Sequence, residues 1–503
     1  MSVAHREPAV DAAPERRPRT PRRWVLPVAV AAGSALVFAA VRPHLIDDTF
    51  ITLSYARNVA FHGHWGLITA ETSNTATSPL NVLLLAVLTF VLRDAVLACG
   101  VLFVLGQVAL VLALRRTGTR AGLPAWFAPA AVALLTVNPL LLSSIGLEVE
   151  LGAAGIAWLL VCAGERRPIA FGVLTGLVAL VRLDLVVVAL VLFLLRRRFW
   201  EKAWQTVLAA AAVALPWFAF SWVVLGSAVP DTVIIKTLQK SWGTWDFGNG
   251  AGLYARVFPW ATALSFLPAA LALGAFLLWL AGSGRRGPQW TKVLPFAPLV
   301  PAGLAHYLAY TRLHVPPYHW YYGPSLVTVT LFLVAAAAAC VRLPARVAGA
   351  VAVTGVLVLS VGFYVSDGLP RRFAPLMSNH DSTADYERIG PELGRLLGGG
   401  TVRSGGEIGV LAYSCGCAIV DLFDDRGAVG PAITARKADL GALGRALVDV
   451  NFRYFDHGDR PIVTDYALVR GDPPPGALAH WTLSSPWAGT QQLYLVRGNG
   501  SGA

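Results

Sequence analysis

The sequence predicts a polytopic α-helical membrane protein of about eleven transmembrane helices, with a small α/β domain outside the membrane at its C-terminal end. Three observations carry this. Of 503 residues, 55% are hydrophobic and only 14% charged, against about 25% charged in an ordinary soluble protein. Mean hydropathy is +0.58. Apolar runs near the roughly 20 residues needed to span a bilayer recur from residue 24 to residue 365. This composition excludes a soluble enzyme and a disordered chain, and five cysteines in such a length exclude a disulfide scaffold.

Taken in order, the expected spans lie near 24–42, 95–114, 124–142, 148–163, 168–181, 185–195, 203–224, 260–281, 292–310, 324–340 and 346–365. The first lacks a small-residue cleavage site at Val41-Arg42-Pro43-His44, so it reads as a retained helix. The net charge of +12 could signal nucleic acid, but its placement points to membrane orientation instead. A basic tail (1–23) is followed by alternate loops rich in arginine and lysine, such as Arg115-Arg116, Arg166-Arg167, Arg196-Arg197-Arg198 and Arg285-Arg286. With that side cytoplasmic, the transmembrane domain covers 24–365 and sends out long loops at 43–94, 225–259 and 311–323. The alternation requires the apolar run 79–92 not to cross the membrane. Residues 366–503 then form an extracytoplasmic domain, with strand-like runs at Ile408–Leu411, Ala418–Leu422 and Gln492–Val496 and a helical run around 432–450. No internal repeat of the kind found in many transporters is evident.

Polar residues at span ends need a reason, because an unused charge beside lipid is costly. Asp47 and Asp48 open the first outer loop. Crowded acids raise each other's pKa, which suits a general base, although a solvated helix start would also account for them. Glu148 suits a helix N-terminus as well as a ligand. Arg182 and Asp184 could form a simple ion-paired turn, and Lys236 could be an interface anchor. The run Tyr318-His319-Trp320-Tyr321-Tyr322 fits an interfacial aromatic belt as readily as a sugar platform. Cys415-Gly416-Cys417 could form a disulfide at most. With no further Cys or His spacing, it does not suggest zinc. There is no Gly-x-x-x-x-Gly-Lys loop, so direct ATP use is not expected.

The order of these segments resembles the GT-C superfamily of membrane glycosyltransferases, and within it the branch of bacterial arabinofuranosyltransferases that extend cell-wall arabinan. The resemblance rests on Asp47-Asp48-Thr49-Phe50-Ile51, Tyr55-Ala56-Arg57-Asn58, Gly63-His64-Trp65-Gly66 and Ser78-Pro79-Leu80. It continues in Ser144-Ile145-Gly146-Leu147-Glu148, Arg182-Leu183-Asp184, Pro230-Asp231-Thr232 with Lys236, and Tyr318 to Pro324. In the tail it includes Gly406-Glu407-Ile408-Gly409 and Val420-Asp421-Leu422. Thr49 stands where the family usually has Ala, and Asp231 where it usually has Asn. Residues 24–430 are covered in outline, by motifs of three to five residues each.

The resemblance implies a transferase that takes a sugar, arabinofuranose in the favoured branch, from a polyprenyl-phosphate donor. It delivers that sugar to a cell-envelope glycan acceptor at the outer face of the plasma membrane. Asp48 or Asp47 would be the general base; Glu148, Arg182, Asp184, Lys236, His319 and Tyr321 would bind substrate. The lipid-phosphate leaving group removes the need for a nucleotide cofactor, and an acid of the pair could hold a divalent cation. The tail domain would bind acceptor. A mannosyl- or aminoarabinosyl-type transferase acting on glycolipid or protein, a transporter or flippase, and a sensory scaffold are the alternatives.

Overall fold

The computed structural model describes residues 24–282, 287–340, 343–368 and 371–498. The basic tail 1–23 and Arg285, Arg286 and Arg342 of the basic loops lie outside these described residues. The molecule is a polytopic helical membrane protein with a small C-terminal sheet. Among the described residues, six helical segments are long and apolar enough to cross a bilayer: Val25–His44, Ala95–Ala121, Phe199–Val224, Pro259–Ala281, His319–Ala339 and Leu343–Asp367. Several of them turn large apolar side chains outward, among them Trp204, Val207, Leu278, Val351 and Val365. So broad an apolar surface needs lipid rather than water.

The other five expected spans are shorter helices. Residues 124–142 divide into Phe127–Val137 and Pro139–Ser143. Pro139 has no N–H to continue the first helix, and the Asn138 side chain accepts from Leu140 N at 3.1 Å and Leu141 N at 3.2 Å, which starts a new one. Residues 185–195 become a 3₁₀ turn (Leu183–Leu185) followed by a helix of nine residues (Val186–Leu194). The runs 148–163, 168–181 and 292–310 settle as Val149–Glu165, Pro168–Val181 and Leu299–Leu313.

The segment 43–94, expected as an outer loop, is itself helical. Asp47–His62 starts with both acids in its first turn and ends at Gly63 in the left-handed region (φ 63°). Pro79–Leu92 follows, with proline at its first turn, and stops at Arg93 (φ 60°). Its 14 residues span roughly 21 Å, less than the hydrocarbon core of about 30 Å. It packs on Asp47–His62 and Ala95–Ala121.

The C-terminal sheet has five strands: β1 (Thr401–Ser404), β2 (Ala418–Val420), β3 (Tyr466–Arg470), β4 (Ala479–Ser485) and β5 (Gly489–Arg497). Their order is β2-β1-β3-β5-β4. β1 pairs in parallel with β2 and β3, while β5 runs antiparallel to β3 and β4. The helical run around 432–450 is two helices, Arg426–Ala438 and Ala442–Asn451. The expected strand at Ile408–Leu411 is instead the start of a helix, Gly409–Cys415. A distant residue decides this: the Asp47 carboxylate accepts the backbone N–H groups of Ile408, Gly409 and Val410 at 3.2, 2.9 and 2.9 Å. Those are the donors a helix start leaves without partners. Cys415 and Cys417 are joined as a disulfide. The sheet does not have a core to itself. Val402, Ile408, Ile419 and Leu495 share one apolar cluster with Phe50, Leu53, Leu85 and Ala98 of the first helices.

Candidate active site

Between the helical domain and the sheet lies a cavity of about 740 Å³. Asp48, Glu148, Lys236 and Tyr321 line it, together with Trp242, Tyr318 and Trp320. From the other side come Glu407, Asp421, Asp424, Arg470 and Trp487. It is a half-open chamber with acids, cations and aromatic rings on facing walls.

Asp47 and Asp48 are neighbours with different surroundings. Asp47 is 5% exposed, and its three backbone hydrogen bonds use both carboxylate oxygens. Gly409 makes that approach possible: a Cβ there would lie 2.0 Å from the Asp47 carbonyl oxygen. Asp47 therefore joins the helix Asp47–His62 to the C-terminal segment that carries the sheet. The Asp48 side chain is half-buried and makes no hydrogen bond or ion pair among the described residues. Burial pushes its carboxyl up to about 6, with Lys236 pulling down and Asp47 and Glu148 adding to the rise. A carboxylate titrating just below neutral pH, and without a partner, has the properties a general base needs.

Lys236 is held from two directions. It lies on the helix Thr232–Gln239. The start of that helix is tied down by the Thr232 hydroxyl donating to Thr75 O at 2.6 Å and the Ser227 hydroxyl donating to Asp231 Oδ1 at 2.6 Å. Asp231 thus works as a hydrogen-bond acceptor. Ile234 and Ile235 on the same helix pack against Val429 and Ile433. The ammonium sits over the Tyr318 ring at 4.0 Å, with Tyr321 at 5.3 Å, Trp320 at 5.7 Å and Phe423 at 6.0 Å. No carboxylate lies within ion-pair distance of it among the described residues. The rings hold the cation by their quadrupoles and leave its donors for a ligand.

Arg182 and Asp184 stand behind the wall rather than in it. Arg182 is 5% exposed and gives Nη1 to Glu148 Oε1 at 2.8 Å, Nε to Asp184 Oδ1 at 2.9 Å and Nη2 to the Tyr310 hydroxyl at 2.7 Å. Asp184 Oδ2 meets His306 Nε2 at 2.8 Å, and His306 Nδ1 meets the Ser325 hydroxyl at 3.0 Å. The Arg182 guanidinium also lies over the Tyr321 ring at 5.2 Å. Tyr321 thus has one cation behind it and Lys236 near it on the cavity side. His319 does not line the cavity: it is buried edge-on to Tyr254 and Trp320, at 6.0 and 5.0 Å between ring centres. The 3₁₀ turn His319–Tyr322 sends His319 inward while Trp320 and Tyr321 face the chamber. Among the described residues no three His, Cys, Asp or Glu side chains converge as a metal site.

Neither a family model nor a curated protein matches the sequence. Solved structures do match the fold. ArnT from Cupriavidus metallidurans, bound to undecaprenyl phosphate, superposes with a TM-score of 0.55 at 14% identity, over 95% of this chain and 99% of that one. The mycobacterial arabinofuranosyltransferase AftD superposes with a TM-score of 0.51, also at 14% identity, over 96% of this chain and 40% of AftD. This chain therefore spans two fifths of AftD's length. The chain has the GT-C fold.

Within this GT-C fold, the C-terminal wall holds residues that sequence reasoning did not place in the site. Asp424 Oδ1 accepts from the Ser73 hydroxyl at 2.9 Å, and Ser73 in turn lies 2.5 Å from the Tyr55 hydroxyl. Asp421 accepts from the backbone of Phe423 and Asp424, at 2.7 and 3.0 Å. Burial raises both carboxyls; the Asp424 charge adds to the rise of Asp421, while hydrogen bonds from Ser73 and Thr75 hold Asp424 lower, at about 6. Glu407 accepts from Asn379 Nδ2, His380 N and the Tyr386 hydroxyl at 3.0, 2.8 and 2.7 Å. Burial pushes it up to about 8, and the neighbouring Asp47 adds to this. Glu407 and Asp421 sit in short motifs that could have flagged them. Arg470 and Trp487 sit in none, and only the sheet brings them to the cavity.

Proposed function

We propose that this protein is a membrane glycosyltransferase that uses a polyprenyl-phosphate-linked sugar, with arabinofuranose the favoured sugar and a cell-envelope glycan the acceptor. The observation that carries this reading is the pairing of Asp48 and Lys236 on one cavity: an unpartnered carboxylate beside an ammonium that has no counter-ion. In the reaction, Asp48 takes the proton from an acceptor hydroxyl. The acceptor oxygen bonds to C1 of the sugar as the bond from C1 to the phosphate oxygen breaks. The electron pair leaves on the lipid phosphate, whose charge Lys236 meets. Glu148, Tyr321 and the surrounding rings shape the sugar pocket, while Arg182 and Asp184 keep Glu148 and Tyr321 in position. The GT-C fold and the ArnT structure bound to undecaprenyl phosphate support a lipid-phosphate donor.

The same reading puts the cavity and residues 366–503 on the extracytoplasmic side of the plasma membrane. Single-cysteine labelling of intact cells at positions 48, 236 and 430, in a cysteine-free background, should modify all three from outside. Labelling at one position but not the others overturns the topology. For the activity, purified protein is assayed with a panel of polyprenyl-phosphate pentoses and hexoses. Transfer from at least one donor, lowered roughly 100-fold or more in Asp48→Asn, is the expected result; release of sugar from none of them overturns the reading.

A further inference from the structure

Arg470 stands out among the charged groups around the cavity. It ends β3, paired with Leu493 of β5, so the backbone that carries it is fixed by the sheet. Its guanidinium packs against the turn after β1: a Cβ on Gly406 would lie 2.5 Å from Nη1 and 2.9 Å from Nη2. Its Nε is buried without a hydrogen-bond partner, and the side chain makes no ion pair among the described residues. This contrasts with Arg182, whose fork is filled by two carboxylates and a phenol.

The acids close enough to influence Arg470 are engaged elsewhere. Asp47 is used by three backbone N–H groups. Glu407 is used by Asn379, His380 and Tyr386, whose hydrogen bonds occupy both of its oxygens. A guanidinium presents five donors in a planar fork that fits a two-oxygen anion, and leaving those donors unmet in a part-buried wall is unfavourable.

We propose that Arg470, seated on Gly406, is the anion-binding residue of an acceptor subsite on the C-terminal wall. The acceptor of this glycosyltransferase would then be an anionic glycan, bearing a phosphate or a uronate carboxylate near the hydroxyl that receives the sugar. The assignment of the anion to the acceptor rests on the function proposed above, in which Lys236 serves the donor phosphate. Arg470 touches no reacting atom in this scheme: it positions the acceptor and selects it.

Purified full-length protein is titrated with glucose, glucose 6-phosphate and glucuronate, following the tryptophan fluorescence to which Trp242 and Trp487 at the cavity contribute. Wild type should bind at least one anionic sugar about 10- to 100-fold more tightly than glucose, the usual worth of a charge-assisted hydrogen-bond pair. The two anionic probes distinguish phosphate from carboxylate. Arg470→Gln should remove the preference and Arg470→Lys should keep part of it. Lys236→Ala should leave it intact. A thermal midpoint for Arg470→Gln within a few degrees of wild type confirms that the fold is retained. No anionic preference in wild type, a preference unchanged in Arg470→Gln, or one that disappears with Lys236 instead overturns the proposal. Because this readout is binding, it stands apart from the transfer assay: failure of every donor to react overturns the glycosyltransferase reading, not the anion site.

Discussion

The two clusters of charge on either side of Tyr321 differ in one respect, and it separates scaffold from chemistry. Behind the ring, Glu148, Arg182, Asp184 and His306 satisfy one another at 2.8–2.9 Å. In front of it, the Asp48 carboxylate and the Lys236 ammonium share a cavity, and neither has a hydrogen-bonded partner among the described residues. Removing a member of the first cluster leaves a buried charge exposed to low dielectric, so the loss should appear in stability. Removing a member of the second leaves the protein's own bonds intact, so the loss should appear in turnover.

The largest effect should come from the hidden cluster. Arg182→Met leaves Glu148 and Asp184 without their cation, which should cost about 3–5 kcal/mol of stability. Thermal unfolding in detergent should show little folded protein, and an unchanged midpoint would mean that water reaches these acids. Lys236→Ala sharpens the contrast: about 3 kcal/mol in the barrier to transfer, with folding preserved. Normal turnover in this variant would leave the leaving-group charge to another residue.

Asp48→Asn should lower turnover roughly 100-fold or more. Its wild-type pH profile should fall on the acid side near pH 6, because a base must be ionised and burial has raised this carboxyl from 3.8 to about 6. A profile without that limb would place the base elsewhere. Asp47→Asn should do the reverse. The amide accepts through one oxygen and turns N–H groups toward the Ile408–Val410 donors, costing about 1–3 kcal/mol of stability with near-normal turnover per folded molecule. If instead it loses turnover at full stability, Asp47 takes part in the chemistry.

The smallest effect is a slope. The folded pKa of Asp48 lies above its ordinary value, so ionisation disfavours the folded state. Its contribution to stability is intact below about pH 3.8 and declines as pH rises toward 6. Asp48→Asn removes the decline, so its thermal midpoint should gain on wild type across that window and hold the gain above it. A constant difference from pH 4 to 7 would mean that the carboxyl is not raised.

Much of this was legible in the sequence because it depends on local pattern. Apolar run length marks the spans, and the alternation of basic loops suggests their orientation. An acid pair beside a span demands a use. The sequence also named Asp48, Glu148, Lys236 and Tyr321, which do line one cavity. It could not divide Asp47 from Asp48, since the difference is made by three N–H groups more than 360 residues away. The same distant bonds turned an expected strand at Ile408 into a helix. Nor could it tell that Arg182 is filled by its neighbours while Arg470 is left open. Charge, hydropathy and helix ends are properties of a chain segment, so the sequence by itself determined the helical membrane architecture. Which polar groups keep a partner and which face a cavity depends on what packs against them, and only the tertiary structure decided that.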